Sequence, residues 1–469
     1  IYCAHEFFWG IGLSFHTVYA IIPLFLKQLG APQGICLSVA GLWSILVAFP
    51  QLFTAIIGRN IKNIKRTVIG VHIFAMPPIF FAGFIFAFFA PSGPYSWVLY
   101  YICFIFYGIG IGIIIPIWTE FLNHTFSINK RGKYLGISFA WNSIGGFFGG
   151  FAVRLVLNSN IPFPQNFGWG FLIFFTCILI GTILFKWYHI KLDRNNHKNR
   201  SINDFLSETK SIIKTNFNFR NYLISRMFLT ANYPAISLYA VYTQNKFDFD
   251  ISEAGVFVII NVIASGAGSL LSGWIGDLYG HKNSILLSFI SYLMALLVAL
   301  LANNMFHVYI IFLFLGLGLG AFMPSAMNLI YKFADGGDNK IYMALTDTIL
   351  APFTFLAITI VGSISEFINM EIILMGIGVF LLIGIFIMIL LLYMNIRNLK
   401  AVAMILVVII LSVISMNGFM GWLFHLTGNE IFNFTIINTS MLIVLLTIAN
   451  SDGVHIVTHF FKQIRIEKN

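Results

Sequence analysis

The sequence predicts an all-α polytopic membrane protein: six plus six transmembrane helices and a C-terminal transmembrane hairpin, about 14 helices in all. Three observations predict it. Of 469 residues, 59% are hydrophobic and 9% charged, with a mean hydropathy of +0.88, whereas a soluble globular domain is roughly 25% charged. The apolar runs are continuous and about 20 residues long, the length that crosses a bilayer as helix. Nearly all Lys and Arg fall in alternate loops. Together these exclude a soluble enzyme, a secreted disulfide scaffold and a disordered tail.

The spans are placed, in order, at 6–27, 34–57, 67–90, 95–120, 133–157, 167–189, 220–244, 252–275, 283–302, 306–331, 341–365, 371–394, 400–424 and 433–454. Breaks such as Pro91-Ser92-Gly93-Pro94 and Asp335-Gly336-Gly337-Asp338 separate them. A closed β-barrel would show short alternating segments instead, and only helices otherwise satisfy the backbone in lipid. With the N-terminus inside, 24 of the 27 Lys and Arg lie in inner loops, nine of them in 186–226, and only Lys27, Arg154 and Lys246 lie outside. The net charge of +10 is therefore a topology signal, not a nucleic-acid footprint. Both termini are expected in the cytoplasm, in the inner or plasma membrane of the cell.

The four cysteines, Cys3, Cys36, Cys103 and Cys177, lack metal-ligand spacing and read as small buried hydrophobes. Ile1 is followed almost at once by the first apolar run, with no basic region or cleavage site of a signal peptide. The expectation is a fragment lacking its initiator Met. The one long polar connector, 190–219, divides the first twelve spans into 1–189 and 220–395. The rest, 396–469, forms an extra two-helix segment.

The halves repeat. Phe106, Gly108, Gly110, Gly112 and Pro116 in the fourth span recur as Phe314, Gly316, Gly318, Gly320 and Pro324 in the tenth, at a constant offset of 208. Parallel six-helix repeats with a central site between them are a transporter layout. Between spans eight and nine, Gly273-Trp-Ile-Gly276-Asp277-Leu-Tyr-Gly280-His281-Lys282 carries the spacing G-x-x-x-D-x-x-G-x-[KR]. Gly273 lets helices approach, Asp277 pairs with a basic group or a helix N-terminus, Gly280 allows a tight turn, and Lys282 anchors the interface. This resembles the cytoplasmic loop signature of the major facilitator superfamily.

The corresponding first-half loop has Arg59 in place of the acid. Gly145-Gly146-Phe-Phe-Gly149-Gly150 resembles that family's antiporter motif, with Gly146 where the motif has Pro, and reads better as a small-residue packing stripe. The fourth span has no Arg of the kind found in many proton antiporters. The resemblance implies a secondary active transporter moving a small solute by alternating access, its two halves rocking about a central site. It needs no cofactor, no metal and no nucleic acid. Its partners are the small-molecule solute, protons as coupling ion, and the lipid bilayer.

The same resemblance implies that spans 1, 4, 7 and 10 line the cavity, with 2, 5, 8 and 11 beside them. Polar or aromatic residues midway along these spans are the candidate substrate residues: His16, Tyr19, Gln51, Trp118, Trp141, Asn142, Asn232, Tyr233 and Asn328, with Tyr107 beside them. For each, interhelical hydrogen bonding or packing is the competing role. Asp347 and His16 are the sharper candidates for proton coupling, since a buried carboxylate and an imidazole can both titrate in the useful range; a structural salt bridge is the other role for Asp347. Glu120 belongs to the gate or the interface.

The last hundred residues fit less well. Leu392 to Arg397, Met416 to Gly421, and Ala449-Asn-Ser-Asp452-Gly-Val-His455 resemble spans two to four of a resistance-nodulation-division permease. That resemblance implies a proton-relay role for Asp452, with boundary solvation as the alternative. A composite or truncated reading frame, joined between about 367 and 395, is the corresponding expectation. The alternative function is then a fragment of a proton-driven exporter of that type. A membrane enzyme would need a nucleophile–base or metal constellation, and H-E-x-x-H, G-x-S-x-G and a Gly-rich phosphate loop are all missing from the sequence.

Overall fold

The structure, a computed structural model, describes residues 1–57, 61, 63–125, 131–188, 202–279, 281–334 and 339–396. Among these residues it is all helical. In chain order the helices are α1 (Tyr2–Ser14), α2 (Ile21–Gln28), α3 (Gln33–Ile57), α4 (Ile64–Ala75), α5 (Pro77–Phe84), α6 (Ser96–Thr125), α7 (Arg131–Leu157) and α8 (Gln165–Leu184). After the connector come α9 (Ile202–Thr215), α10 (Phe217–Leu229), α11 (Asn232–Phe247), α12 (Glu253–Tyr279), α13 (His281–Leu301), α14 (Met305–Ala334), α15 (Asn339–Ile364) and α16 (Met370–Ile396). Nine stretches among the described residues are long and apolar enough to cross a membrane. The two expected spans at 400–424 and 433–454, and Asp452 with them, lie outside the described residues.

Three expected spans are interrupted rather than continuous. Pro77 and Pro78 separate α4 from α5, because proline supplies no N–H to continue the ladder. The first span breaks between Ser14 and Ile21, and the seventh between Leu229 and Asn232. Side chains replace the lost backbone bonds there, as lipid demands. The Thr17 hydroxyl accepts from Ile21 N at 3.0 Å, and Thr230 Oγ1 donates to the Met227 carbonyl at 2.6 Å. The carbonyl of Val18, freed by the first break, accepts the Ser237 hydroxyl at 3.1 Å. That same hydroxyl accepts from Ala40 N at 2.9 Å, so one side chain of α11 stitches the first break to α3.

The connector also differs from its expected form. Its second part is the helix α9, whose Ile212 packs on the core. Asn216 then caps α10 by accepting from Phe219 N at 3.0 Å while donating to the Phe333 carbonyl at 2.9 Å. Arg226, counted with the inner loop from sequence, lies instead in α10 and is buried.

The sequence repeat is matched by packing. On α6, a methyl at Gly108 or Gly112 would strike α3 (Leu46; Val47 O) and one at Gly110 would strike α4 (Ala75). On α14, Gly316 and Gly320 abut α12 (Asn261 O; Ser265 O), and Gly318 abuts Tyr292 of α13. The fourth span therefore nests against the second and third, and the tenth against the eighth and ninth, through the same glycines. Large apolar side chains such as Phe74, Phe81, Leu155, Phe380 and Phe386 cover the outside, the surface lipid would contact.

Candidate functional site

The helices meet differently at the two ends of the bundle. At the end carrying Lys27, Arg154 and Lys246, elements from before and after the connector touch closely. Lys27 Nζ donates to Gln244 Oε1 at 2.9 Å, and Arg154 Nη2 lies 3.6 Å from Glu253 Oε1. Gly34 of α3 sits against Gly362 of α15, and Gly41 against Ile358. The pair α7 and α12 shows a gradient. A Cβ added at Gly150 would lie 2.5 Å from Ile259 Cγ1, one at Gly146 3.0 Å from Val262 Cγ1, and one at Gly266 3.7 Å from Ser143 Oγ. At Gly273, near the opposite end, a Cβ would meet nothing within 4 Å among the described residues. The helices thus close at one end and diverge toward the other.

The Gly145-to-Gly150 motif explains how α7 holds this position. Gly145 and Gly149 receive α1, through the Phe7 carbonyl and through Ile11 O and Ser14, while Gly146 and Gly150 receive α12. Ser14 Oγ adds a bond to the Gly146 carbonyl at 3.0 Å. This is the packing role weighed for the motif.

Where α3 and α15 separate beyond Gly41 and Ile358 there is a cavity of about 20 Å³, space for about one water. Its polar walls are Ser44 of α3, Arg226 of α10, Thr230 in the break that follows it, Tyr233 of α11, and Asp347 and Thr354 of α15. It lies against the interruption of the seventh span, the kind of place where transporters build sites from half-helices. Arg226 is held rigidly. Nη1 donates to Tyr222 Oη at 2.8 Å, and Cζ stands 4.3 Å above the centre of the Phe322 ring. Asp347 faces it and is coupled to it electrostatically, yet accepts no hydrogen bond from the described residues.

Of the residues singled out from sequence, Tyr233 and Asp347 line this cavity. Tyr19 packs across to Phe312 of α14, ring centres 6.3 Å apart. His16 lies at the first break, within 6.3 Å of the rings of Trp43, Tyr100, Phe104, Tyr107, Phe171 and Phe174. Its Nε2 and the Tyr107 hydroxyl have no partner among the described residues. Asn232, at the second break, is buried, and both its side-chain polar atoms are unpartnered among the described residues. Asn142 donates to Glu6 Oε2 at 3.0 Å, and Trp141 is exposed with its ring 6.1 Å from Phe7. Trp118 packs on a small second core that includes Tyr2 and Phe121. Gln51 is buried on α3 and Asn328 half-buried on α14. In the gate motif, Gly273 and Asp277 lie on α12 and Lys282 on α13; Gly280 and the side chains of Asp277, Lys282 and Glu120 fall outside the described residues.

Sequence reading missed Arg226 and Glu6. Glu6 opens the first run, and Arg226 was counted with the 186–226 loop although the seventh run begins at 220, so each charge reads as boundary. A charged residue one turn before a Thr-Ala-Asn interruption was the available signal for Arg226.

A helical bundle of this size with a charged site at the junction of its halves is the architecture of a membrane transporter. The major facilitator superfamily model matches residues 7–150, 78–358 and 219–456, so the chain belongs to that superfamily and is a secondary transporter, not an enzyme. Among solved structures, a point mutant of the nucleoside transporter NupG is similar with a TM-score of 0.63 and 11% identity, over 82% of this chain and 98% of that one. The transporter FucP in its outward conformation gives 0.54 and 10% identity, over 82% and 96%. A point mutant of the E. coli fucose:proton symporter FucP gives 0.55 and 12%, over 82% and 96%. No curated protein sequence matches the chain.

Proposed function

We propose that this protein carries a small polar solute across the cell membrane by alternating access. Its two six-helix halves, 1–189 and 220–395, rock about the cavity at the interrupted seventh span. The observation that carries this reading is the graded approach of α7 and α12, tight at Gly150 and open at Gly273. Two halves built on matching glycine contacts can tilt as rigid bodies, which moves the wide end from one side to the other. By the distribution of Lys and Arg, the closed end carrying Arg154 faces outward and both termini face the cytoplasm. The described state is then inward-facing. The Asp277 loop would close the inner end in the opposite state.

Asp347 is the coupling residue in this reading, because it is a carboxylate on the cavity wall without hydrogen-bond donors among the described residues. The test is uptake into proteoliposomes of a panel of radiolabelled solutes, with and without an inward proton gradient. Lys27→Cys with Gln244→Cys, bridged by a short bismaleimide, should abolish flux, and the single-cysteine variants should keep it. Flux that survives the bridge refutes rocking. Gradient-driven uptake unchanged in Asp347→Asn refutes the coupling role.

A further inference from the structure

Arg226 is more than nine-tenths buried, yet among the described residues it donates a single hydrogen bond, to Tyr222. A guanidinium has five N–H donors and does not lose its proton inside a protein. The remaining donors on a cation this deep require acceptors, and among the described residues the wall they share offers only Asp347 as a charge of opposite sign. The two form no ion pair within 4.0 Å, although they are coupled electrostatically. Phe322 beneath the guanidinium plane and Tyr222 at its edge hold the fork in one orientation.

From this geometry we infer that the solute is a small organic monocarboxylate, bound through its carboxylate to Arg226 and carried with one proton on Asp347. The inference rests on the transport reading given above and names the substrate class of the same cavity, which at about 20 Å³ holds about one water in the described state and has to widen as the helices part to admit the solute. The physical reason is charge balance. A low-dielectric cavity holds one fixed positive charge and tolerates about one negative charge. With the site empty, the Asp347 carboxylate supplies it. When a carboxylate arrives at Arg226, two anions would face one cation, so Asp347 takes a proton from solution and becomes neutral. Release reverses both events. One proton and one anion move together and no net charge crosses the membrane. A planar, two-oxygen acceptor also matches the guanidinium fork better than a hydroxyl does.

The groups that tune this exchange are few. Arg226 and Tyr222 of α10 couple electrostatically to Asp347, and Tyr233 of α11 and Tyr292 of α13 couple to Arg226. From α3 the cavity receives Ser44 and Ala48, which do not titrate. Asp347 is thus the one acid among these groups.

The experiment uses the full chain in proteoliposomes containing a trapped pH-sensing dye, with protein-free vesicles as the blank. Lactate, pyruvate and gluconate are the probes; uridine, fucose and alanine are the neutral and zwitterionic comparators. The expected result is lumen acidification with the carboxylates alone, insensitive to membrane potential, and carboxylate uptake at least five-fold faster at pH 6 than at pH 7.5. Arg226→Gln should reduce carboxylate flux to the blank, and Arg226→Lys at least ten-fold, since a point charge lacks the fork. Asp347→Asn should abolish the pH dependence of carboxylate flux and its accumulation under a proton gradient. Each variant is first checked for a monodisperse peak and a thermal transition. If both Arg226 variants fail that check, a carboxylate-dependent, pH-dependent shift in the wild-type melting temperature, with none from uridine or fucose, decides the matter. Flux of only uridine, fucose or alanine overturns the carboxylate and leaves the transporter standing. No flux of any probe by folded protein overturns both.

Discussion

Arg154 of α7 reaches Glu253 of α12 at 3.6 Å, and Tyr309 of α14 donates to the other oxygen of the same carboxylate at 2.9 Å. One carboxylate thereby joins a helix from before the connector to two from after it. Arg154 is half exposed, so the pair is worth at most about 1 kcal/mol in stability. In the alternating access proposed above its larger consequence is conformational, because the contact would break when this end opens.

Glu253→Gln should therefore leave the melting temperature within about 2 °C and shift the closed–open balance toward opening at this end by roughly two- to five-fold, the equivalent of about 0.5–1 kcal/mol. The check is the rate at which a bulky thiol reagent added from the Arg154 side labels a cysteine placed at Ser44. An unchanged labelling rate would show the bridge to be a bystander.

Substitution of the packing glycines should separate by neighbour. A Cβ at Gly145 would overlap the Phe7 carbonyl, and one at Gly320 the Ser265 carbonyl. Gly145→Ala and Gly320→Ala are each expected to cost about 1–3 kcal/mol, because backbone cannot yield as a side-chain tip can. Gly376→Ala meets nothing within 4 Å among the described residues and should be neutral in the same thermal measurement. Gly273→Ala should also be neutral for stability and yet slow transport. The space around it is open among the described residues, and in the rocking proposed above it fills when that end closes.

His16 has its imidazole among six aromatic rings, with Nε2 unpartnered among the described residues. His16→Phe retains the ring contacts and removes an unsatisfied buried polar atom, so it should stabilise the fold by about 1 kcal/mol. Uptake should keep its pH dependence in that variant. Loss of the pH dependence would move the coupling role from Asp347 to His16.

Glu6 is a buried carboxyl on α1 that accepts from Asn142 Nδ2 at 3.0 Å and shares a hydrogen-bond interaction with Tyr2. Glu6→Gln preserves an acceptor for Asn142 and should change stability by less than about 1 kcal/mol, whereas Glu6→Ala leaves Asn142 unpaired and should cost about 1–3 kcal/mol. Thermal unfolding of both variants in the same detergent measures the difference. Equal losses would mean that volume, not the hydrogen bond, holds α1 to α7.

The sequence alone was enough for the class, the superfamily and the glycine repeat. These depend on quantities summed along the chain: apolar length against bilayer thickness, Gly-to-Pro spacing in α6 and α14, and the alternation of Lys and Arg. The glycines at 108, 110 and 112 could be matched to those at 316, 318 and 320 by spacing, and the structure adds which helix each one receives. What the spacing could not supply was the site. Pro23 and Pro234 each stand third in the helix that follows a break, a first-turn position proline favours, but the runs stay largely apolar across 15–20 and 230–231, so hydropathy passes over the interruptions. Asp347 was visible as a charge inside a span, but its partner Arg226 sits 121 residues earlier at a span boundary. Only tertiary packing brings α10 beside α15, and burial on Phe322 turns an apparent loop arginine into the fixed cation of the cavity. Composition is a property of single residues, while a site is a coincidence of several distant ones, and that coincidence exists only once the helices have packed.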